Sequence, residues 1–500
     1  MALNSAQQDR ALGTILASAA GDALGAPYEF KAAVLPPTPI ITKAGGGWEL
    51  GEWTDDTAMA MPLLRALAEG RSLDNEATLD QIVKTWVDWT YEAKDVGTQT
   101  RRVLQHLPRW NAENAEGARL TTERLHASTG RTAGNGSLMR TGPVALGYLG
   151  DHARAVRAAR AISELTHYDD DAGDASVIWT VAIAHAIETG ELELERGITH
   201  LPAERQQRWR DLASEAEGRM PWELTANNGW VVGAFQAAWS AITYADTLAA
   251  TLELAVRCGN DTDTVAAIAG ALAGAVYGAS ALPWSLQRHL HGWAGDGVVG
   301  DRRTLVELTT LAIGAGPDAN GWPTAPTFPS KLGPTLVQHP LDEGVWLGDL
   351  AALASLPESI DGVVSLCRVG NAQAPVVREN HDEVRLIDQP GKNPHLDFVL
   401  IDAADAVATM RAEGREVLLH CLESRSRTAA VAALYAVRHL HADVEDALEA
   451  LAAKMVRYEP EPFLLNAVRK LAAEAAGSVA SSESVAAVRL HAGHVEDSDE

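Results

Sequence analysis

The sequence predicts a multidomain protein, an all-α bundle over residues 8–316 followed by a smaller α/β domain over residues 341–475. Three observations predict it. From Gln8 to about Ala315 apolar residues recur at helical spacing, as in Ala11-Leu12-Ile15-Leu16, Met59-Leu63-Leu64-Leu67 and Ile82-Trp86-Trp89, with few alternating β-branched runs. From Gly316 to Pro340 the chain turns to Pro, Gly and Thr, which cannot keep a helix and read as a linker over 317–340. Beyond it short apolar runs alternate with helical stretches, the pattern of strands layered against helices.

Along the first domain, Ser5 and Ser72 suit helix starts, and Gly70, Gly150 and Gly190 suit helix stops. Two acidic clusters, Thr54-Asp55-Asp56-Thr57 and Asp261-Thr262-Asp263-Thr264, each open a long apolar run of helical character. The second leads into Val265–Trp284, uncharged and close to the ~20 residues that span a bilayer. Its Ala and Gly drive little insertion but allow close packing, so it reads as a buried core helix. In the second domain, Val363–Leu366, Val384–Ile387 and Val417–His420 read as strands. Residues 476–500, rich in Ser, Ala, Glu and Asp, read as a disordered acidic tail.

Composition narrows the functional classes. A chain of 500 residues, 46% hydrophobic and 22% charged, is globular and long enough for more than one domain. The net charge of -26 argues against a broad phosphate-binding surface, so nucleic acid is not an expected partner. An anionic substrate would need metals or buried arginines. Three cysteines, Cys258, Cys367 and Cys421, lack paired metal spacing and suit a reducing compartment. The polar stretch Met1–Arg10 carries no export signal, so a cytoplasmic location, with no membrane, is expected.

The acidic clusters carry the first chemistry. Carboxylate and hydroxyl oxygens are hard ligands that suit Mg²⁺ or Mn²⁺, and four Asp with two Thr suffice for a pair of such ions. The alternative is helix capping, for which Asp and Thr are preferred. Recurrence of the crowded pattern favours metal, because a cap needs one oxygen and adjacent carboxylates repel without a cation.

The clusters fall in order with Gly21-Asp22-Ala23-Leu24-Gly25, Asp95-Val96-Gly97, Gly134-Asn135-Gly136-Ser137 and Thr166-His167. Over roughly residues 8 to 316 this order resembles the ADP-ribosylglycohydrolase family. The resemblance implies an all-α fold with a dinuclear Mg²⁺ (or Mn²⁺) centre whose ligands are Thr54, Asp55, Asp56, Asp261, Asp263 and Thr264. It implies cleavage at the anomeric carbon of the distal ribose, through an oxocarbenium-like state that nearby carboxylates stabilise. Glu29 and Asp95 are the acids in line for proton transfer. The backbone N–H groups around Asn135, Gly136 and Ser137 suit a pyrophosphate, with Arg140 as helper. His167 either lines the adenosine or ribose pocket or is a satisfied polar histidine beside the Asp169-Asp170-Asp171 run.

In the second domain, Cys421, five residues, Arg427 and Thr428 follow a strand and open an alanine-rich helix. Loop N–H groups and a helix N-terminus circle a phosphate, an arginine binds its oxygens, and the same positive field makes a cysteine nucleophilic. Thr428 would stabilise the leaving thiolate, and Asp388 is the upstream general acid. The stretch from about Val345 to Leu471 resembles the dual-specificity protein phosphatase family. It departs from that family in carrying Glu423, Ser424 and Ser426 in a loop usually richer in glycine.

The combined expectation is a bifunctional enzyme. Its first domain would act on an ADP-ribosylated protein or small molecule, its second on a phosphorylated substrate. The competing reading is an ADP-ribose-binding regulator with a degenerate phosphatase domain.

Overall fold

Asn4, one residue before the expected Ser5, starts the first helix: its side chain accepts from Gln7 N, and Gln7 reaches back to the Asn4 N–H. The computed structural model describes residues 3–295, 297–314, 317, 321–330 and 332–475, and the tail expected at 476–500 lies outside them. The chain divides into two units, Met1–Ala325 and Pro326–Glu500.

The main helices of the first unit are α1 (Ser5–Gly25), α2 (Asp55–Ala68), α3 (Glu76–Trp89), α4 (Asp170–Thr189), α5 (Val231–Tyr244), α6 (Thr262–Tyr277) and α7 (Arg302–Gly314), with further helices between them. Helices α1 and α6 run antiparallel in close contact through small residues. A Cβ added at Gly13 would stand 2.3 Å from Gly274 O, one at Gly21 2.3 Å from Ala266 O, and one at Gly25 2.5 Å from Asp263 Cα. Larger residues would force the helices apart, so this seam sets how near the end of α1 comes to the start of α6.

The uncharged run ends earlier than its composition suggests. Helix α6 stops at Tyr277, and Gly278 breaks it at φ 85°. Among the described residues no helix is long and apolar enough to cross a membrane. Helix α3 is capped by Asn75, while Ser72 donates instead to Asp74. One departure from the all-helical expectation is a hairpin of β1 (His291–Trp293) and β2 (Val299–Asp301).

The second unit is a five-stranded sheet of β3 (Leu336–His339), β4 (Asp342–Asp349), β5 (Ile360–Ser365), β6 (His381–Glu383) and β7 (Glu416–Cys421), in the order β3-β4-β7-β5-β6. All neighbours are parallel except β3 and β4. Helices α8 (Leu396–Ala412) and α9 (Arg427–Leu440) accompany it. Two boundaries correct the sequence reading. Strand β3 lies inside the stretch assigned to the linker, because a four-residue edge strand just after Pro334 is hidden by its proline-rich surroundings. The strand expected at Val384–Ile387 is instead His381–Glu383: Val384 N still donates to Ser365 O, but Ile387 has turned away to pair with the Asn393 side chain.

Candidate active site

The first acidic cluster is anchored from below. Asp22 of α1 is fully buried, and its carboxylate accepts from Thr54 N at 2.9 Å, Thr57 N at 3.0 Å and Thr57 Oγ1 at 2.6 Å. Three of its roughly four acceptor positions are thus taken, which makes it chiefly a brace for the start of α2. Asp56 turns inward. Its Oδ2 accepts from Thr54 Oγ1 at 3.0 Å and Thr264 Oγ1 at 3.3 Å, while its Oδ1 is buried with no hydrogen-bond partner in the protein.

The second cluster is held by a tight bend. Gly259 and Asn260 both adopt left-handed φ, 76° and 56°. The buried Asn228 side chain stitches this bend: Nδ2 donates to Gly259 O at 2.8 Å and Asp261 O at 3.3 Å, and Oδ1 accepts from Asp261 N at 3.3 Å. Asn135 Nδ2 donates both to Asn228 O at 2.9 Å and to Asp261 Oδ2 at 2.8 Å. Phe30 N donates to Asn260 O and Asn260 N to Lys31 O, so the segment carrying Glu29 is tied to the same bend.

These braces gather two sets of oxygens, Asp22/Asp56/Asp263 and Glu29/Asp261/Asp263, each within 4.8 Å of one another. Asp263 belongs to both. Burial is the main cause that raises the proton affinity of these acids and of the nearby Asp55: Glu29 is pushed up to about 8 and Asp55 to about 7, with neighbouring carboxylates adding to the effect. Burial lifts Asp22 to about 6, hydrogen bonds from Thr57 and Thr54 limiting the rise. Asp56 and Asp263 are raised well above the usual range by burial and then by acid neighbours. Acids crowded this closely, with an unpartnered buried oxygen on Asp56, are a donor set that fits hard divalent cations. Asp55 stands in neither set; its Oδ2 accepts from Gly97 N at 3.1 Å.

A cavity of about 950 Å³ opens over the acids, with Glu29, Asp55, Asp95, Asn135, Gly136, His167, Asp261, Asp263 and Thr264 in its wall. Asp95 is about half exposed, 3.8 Å from Arg101. Arg102, Arg131, Trp230 and the 80% exposed Phe30 also line it, and none of these was singled out from sequence. His167 packs its ring on the loop, where a Cβ at Gly134 or Gly136 would come within 3.1 Å of it. Burial, then Arg140, holds His167 neutral, far below its ordinary value, and its Nδ1 pairs with Thr166 Oγ1 at 2.7 Å.

Ser137 and Arg140, expected at the pyrophosphate, are not in that wall. Arg140 is fully buried: it donates to Gly136 O at 3.1 Å, Ile162 O at 3.0 Å and Thr166 Oγ1 at 2.7 Å, and lies 4.6 Å over the Trp86 ring. It braces the loop from beneath. Ser137 is buried against Ser176 Oγ at 3.4 Å. Residues 135–137 form a single 3₁₀ turn, so successive side chains point in different directions and only part of the motif faces the cavity.

In the second unit, β7 ends at Cys421 and α9 begins at Arg427. Burial alone would raise the Cys421 thiol, but Arg427, the Thr428 hydroxyl and the backbone N–H groups of Arg425 and Thr428 bring it below its ordinary value. Cys367, by contrast, is pushed up to about 12 by burial. Arg427 Nη1 donates to Leu366 O and Leu386 O, and its Nε lies 3.5 Å from Asp388 Oδ2. Asp388 also accepts from Ser426 Oγ at 2.9 Å. Ser424 stands at φ 52°, the left-handed region where glycine is easier. Glu423 is turned toward Arg425, at 3.8 Å. Behind the loop, Ser365 Oγ bridges His381 Nε2 at 2.9 Å and His420 Nε2 at 2.6 Å, a network that sequence reading missed.

The first unit is therefore a helical domain with a carboxylate-lined cleft at the meeting of three helix ends. The chain belongs to the ADP-ribosylglycohydrolase family, whose profile matches residues 3–316. It is 32% identical over 287 residues to the ADP-ribosyl-[dinitrogen reductase] glycohydrolase of Rhodospirillum rubrum, covering 55% of this chain and 88% of that one. It is 28% identical over 291 residues to the ADP-ribosylarginine hydrolase Tri1 of Pseudomonas putida, covering 55% and 72%. A solved chain of an ADP-ribosylglycohydrolase-related protein complex aligns at 27% identity and a TM-score of 0.47, covering 62% of this chain and 99% of that one. Human DUSP28 aligns at 22% identity and a TM-score of 0.26, covering 28% of this chain and 95% of its own, a likeness too low to argue from.

Proposed function

We propose that the first unit is a divalent-metal-dependent hydrolase that releases ADP-ribose from an arginine side chain. The reading rests on one observation above all: two sets of carboxylate oxygens that share Asp263 at the floor of a large cavity. Asp56, Asp261 and Asp263, with Thr54 and Thr264 around them, would hold two Mg²⁺ or Mn²⁺ ions. When bound, such ions supply Lewis acidity, a grip on the vicinal ribose hydroxyls and an ordered water.

The protein's own groups supply the rest. A water oxygen bonds to the anomeric carbon, the bond from that carbon to the guanidine nitrogen breaks, and the departing guanidine takes up a proton. Glu29 and Asp95 are the acids at hand to move those protons. Carboxylates around the anomeric carbon stabilise the positive charge that builds on the sugar. Gly136 and Asn135 contribute the polar wall toward the pyrophosphate, and the name of the Pseudomonas relative supports arginine as acceptor. The test is release of ADP-ribose from an ADP-ribosylated arginine peptide by wild type and by Asp263→Ala. Wild-type turnover that vanishes in the variant supports the assignment; equal turnover overturns it.

A second reading concerns Cys421, and the lowered thiol facing Arg427 favours it. The second unit is a cysteine phosphatase. The thiolate attacks phosphorus, a sulfur–phosphorus bond forms as the ester oxygen leaves, and Asp388 gives that oxygen its proton. Water then frees phosphate and restores the thiolate, with Thr428 beside it. Turnover of an aryl phosphate that disappears in Cys421→Ser supports this reading; no turnover by reduced wild type makes the unit a binding module.

A further inference from the structure

At the opposite end of α2 from its acidic cluster lies a second cavity, of about 410 Å³, walled by the last turns of α2, by α3 and by Ala294 and Gly295. Two arginines line it, Arg65 and Arg71. Arg65 spends one donor on Ala294 O, through Nη2 at 2.6 Å. Arg71 pairs through Nη2 with Glu69, at 2.6 Å, and its Nε is buried without a hydrogen-bond partner in the protein. A guanidinium carries five N–H donors, so both keep donors uncommitted.

Gln81 and Thr85, one turn apart on α3, add an amide and a hydroxyl to the same wall. Pro62 and Ile82 give it an apolar side. Glu69 is the one acid among its described lining residues, in a protein of net charge -26. Two guanidinium groups gathered into a concavity of an acidic chain, with donors still uncommitted, call for an anion. The volume falls within the range of small-molecule sites, roughly 300–1,000 Å³, and exceeds what a bare oxyanion fills.

We propose that this cavity is a second ligand site, separate from the carboxylate cleft, for a small phosphorylated molecule whose phosphate is held by Arg65 and Arg71 and whose body rests on Pro62 and Ile82. Gln81 and Thr85 hydrogen-bond its polar substituents. The site does not depend on the hydrolase reading, because no residue of the cleft takes part in it.

The test is hydrogen–deuterium exchange on the full chain with millimolar inorganic phosphate and, separately, ribose 5-phosphate. Both ligands slow exchange in peptides covering residues 62–85, and ribose 5-phosphate does so at lower concentration. Arg71→Gln weakens this protection about tenfold or more, the loss of charge-assisted hydrogen bonds. Gln81→Leu weakens the sugar phosphate alone. An Arg427→Ala chain, whose phosphate loop is disabled, keeps the protection. No protection of these peptides by either ligand, or equal protection in Arg71→Gln, overturns the site.

Discussion

Asn228→Ala separates the geometry of the second acidic cluster from its ligands. Asn228 is not in the wall of the cleft, yet one side chain holds Gly259 O, Asp261 O and Asp261 N at 2.8, 3.3 and 3.3 Å. Alanine strands the Asp261 N–H and takes one donor each from Gly259 O and Asp261 O, at a residue only 1% exposed. Each stranded group costs about 1–3 kcal/mol, and since one contact is short and two are long, the total loss is roughly 2–4 kcal/mol. The same change frees Asp261 to move, and groups that orient metal ligands from behind are worth about 10–100-fold in metal affinity. Two measurements on the same protein decide it: Mn²⁺ titration followed by electron paramagnetic resonance, and urea unfolding. The expected outcome is a lower unfolding midpoint together with weaker Mn²⁺ binding. A variant that loses stability but binds Mn²⁺ as wild type does would refute the view that Asn228 sets the ligand geometry.

Further outcomes follow from the same contacts. Adding Mg²⁺ or Mn²⁺ to chelator-treated protein raises the melting temperature of the first unit, because a cation relieves the repulsion among Asp56, Asp261 and Asp263; a midpoint indifferent to both ions counts against the metal assignment. Arg140→Met costs about 1–3 kcal/mol by stranding the acceptors Gly136 O, Ile162 O and Thr166 Oγ1, and raises KM as the 134–137 turn loosens; unchanged urea midpoints contradict the brace. Iodoacetamide modifies Cys421 ahead of Cys258 and Cys367. Because its thiol is lowered, the thiolate persists as pH falls below the ordinary thiol value of about 8.5, and Arg427→Ala shifts the alkylation profile upward; coincident profiles refute the pairing.

The two Asp/Thr clusters were legible because each is local: three oxygens within four residues, repeated, exceed what a helix cap needs. Asp22 was not singled out, since a lone Asp inside a helical glycine motif shows nothing of partners 32 and 35 residues away. Arg140 was placed at the substrate for a related reason: spacing locates a guanidinium near a loop but does not say on which side of it. In the second unit the loop from Cys421 to Arg427 was readable, whereas β3 was lost in a proline-rich background and β6 was shifted by three residues. Those errors fall where strands are short and lie at the sheet edges, so hydrophobic patterning is weakest there.

The glycine seam between α1 and α6 bears on how the domain is made. Its partners, such as Gly13 and Gly274, lie far apart in the unit's sequence, so α1 has no seam to join until the chain has been synthesised through α6. Closing so long a loop carries an entropic cost and slows folding. During that interval the apolar flank of α1 stands uncovered, which makes it a natural landing place for a chaperone. The carboxylate centre is correspondingly among the last parts to assemble, and a chain truncated before α6 is without it.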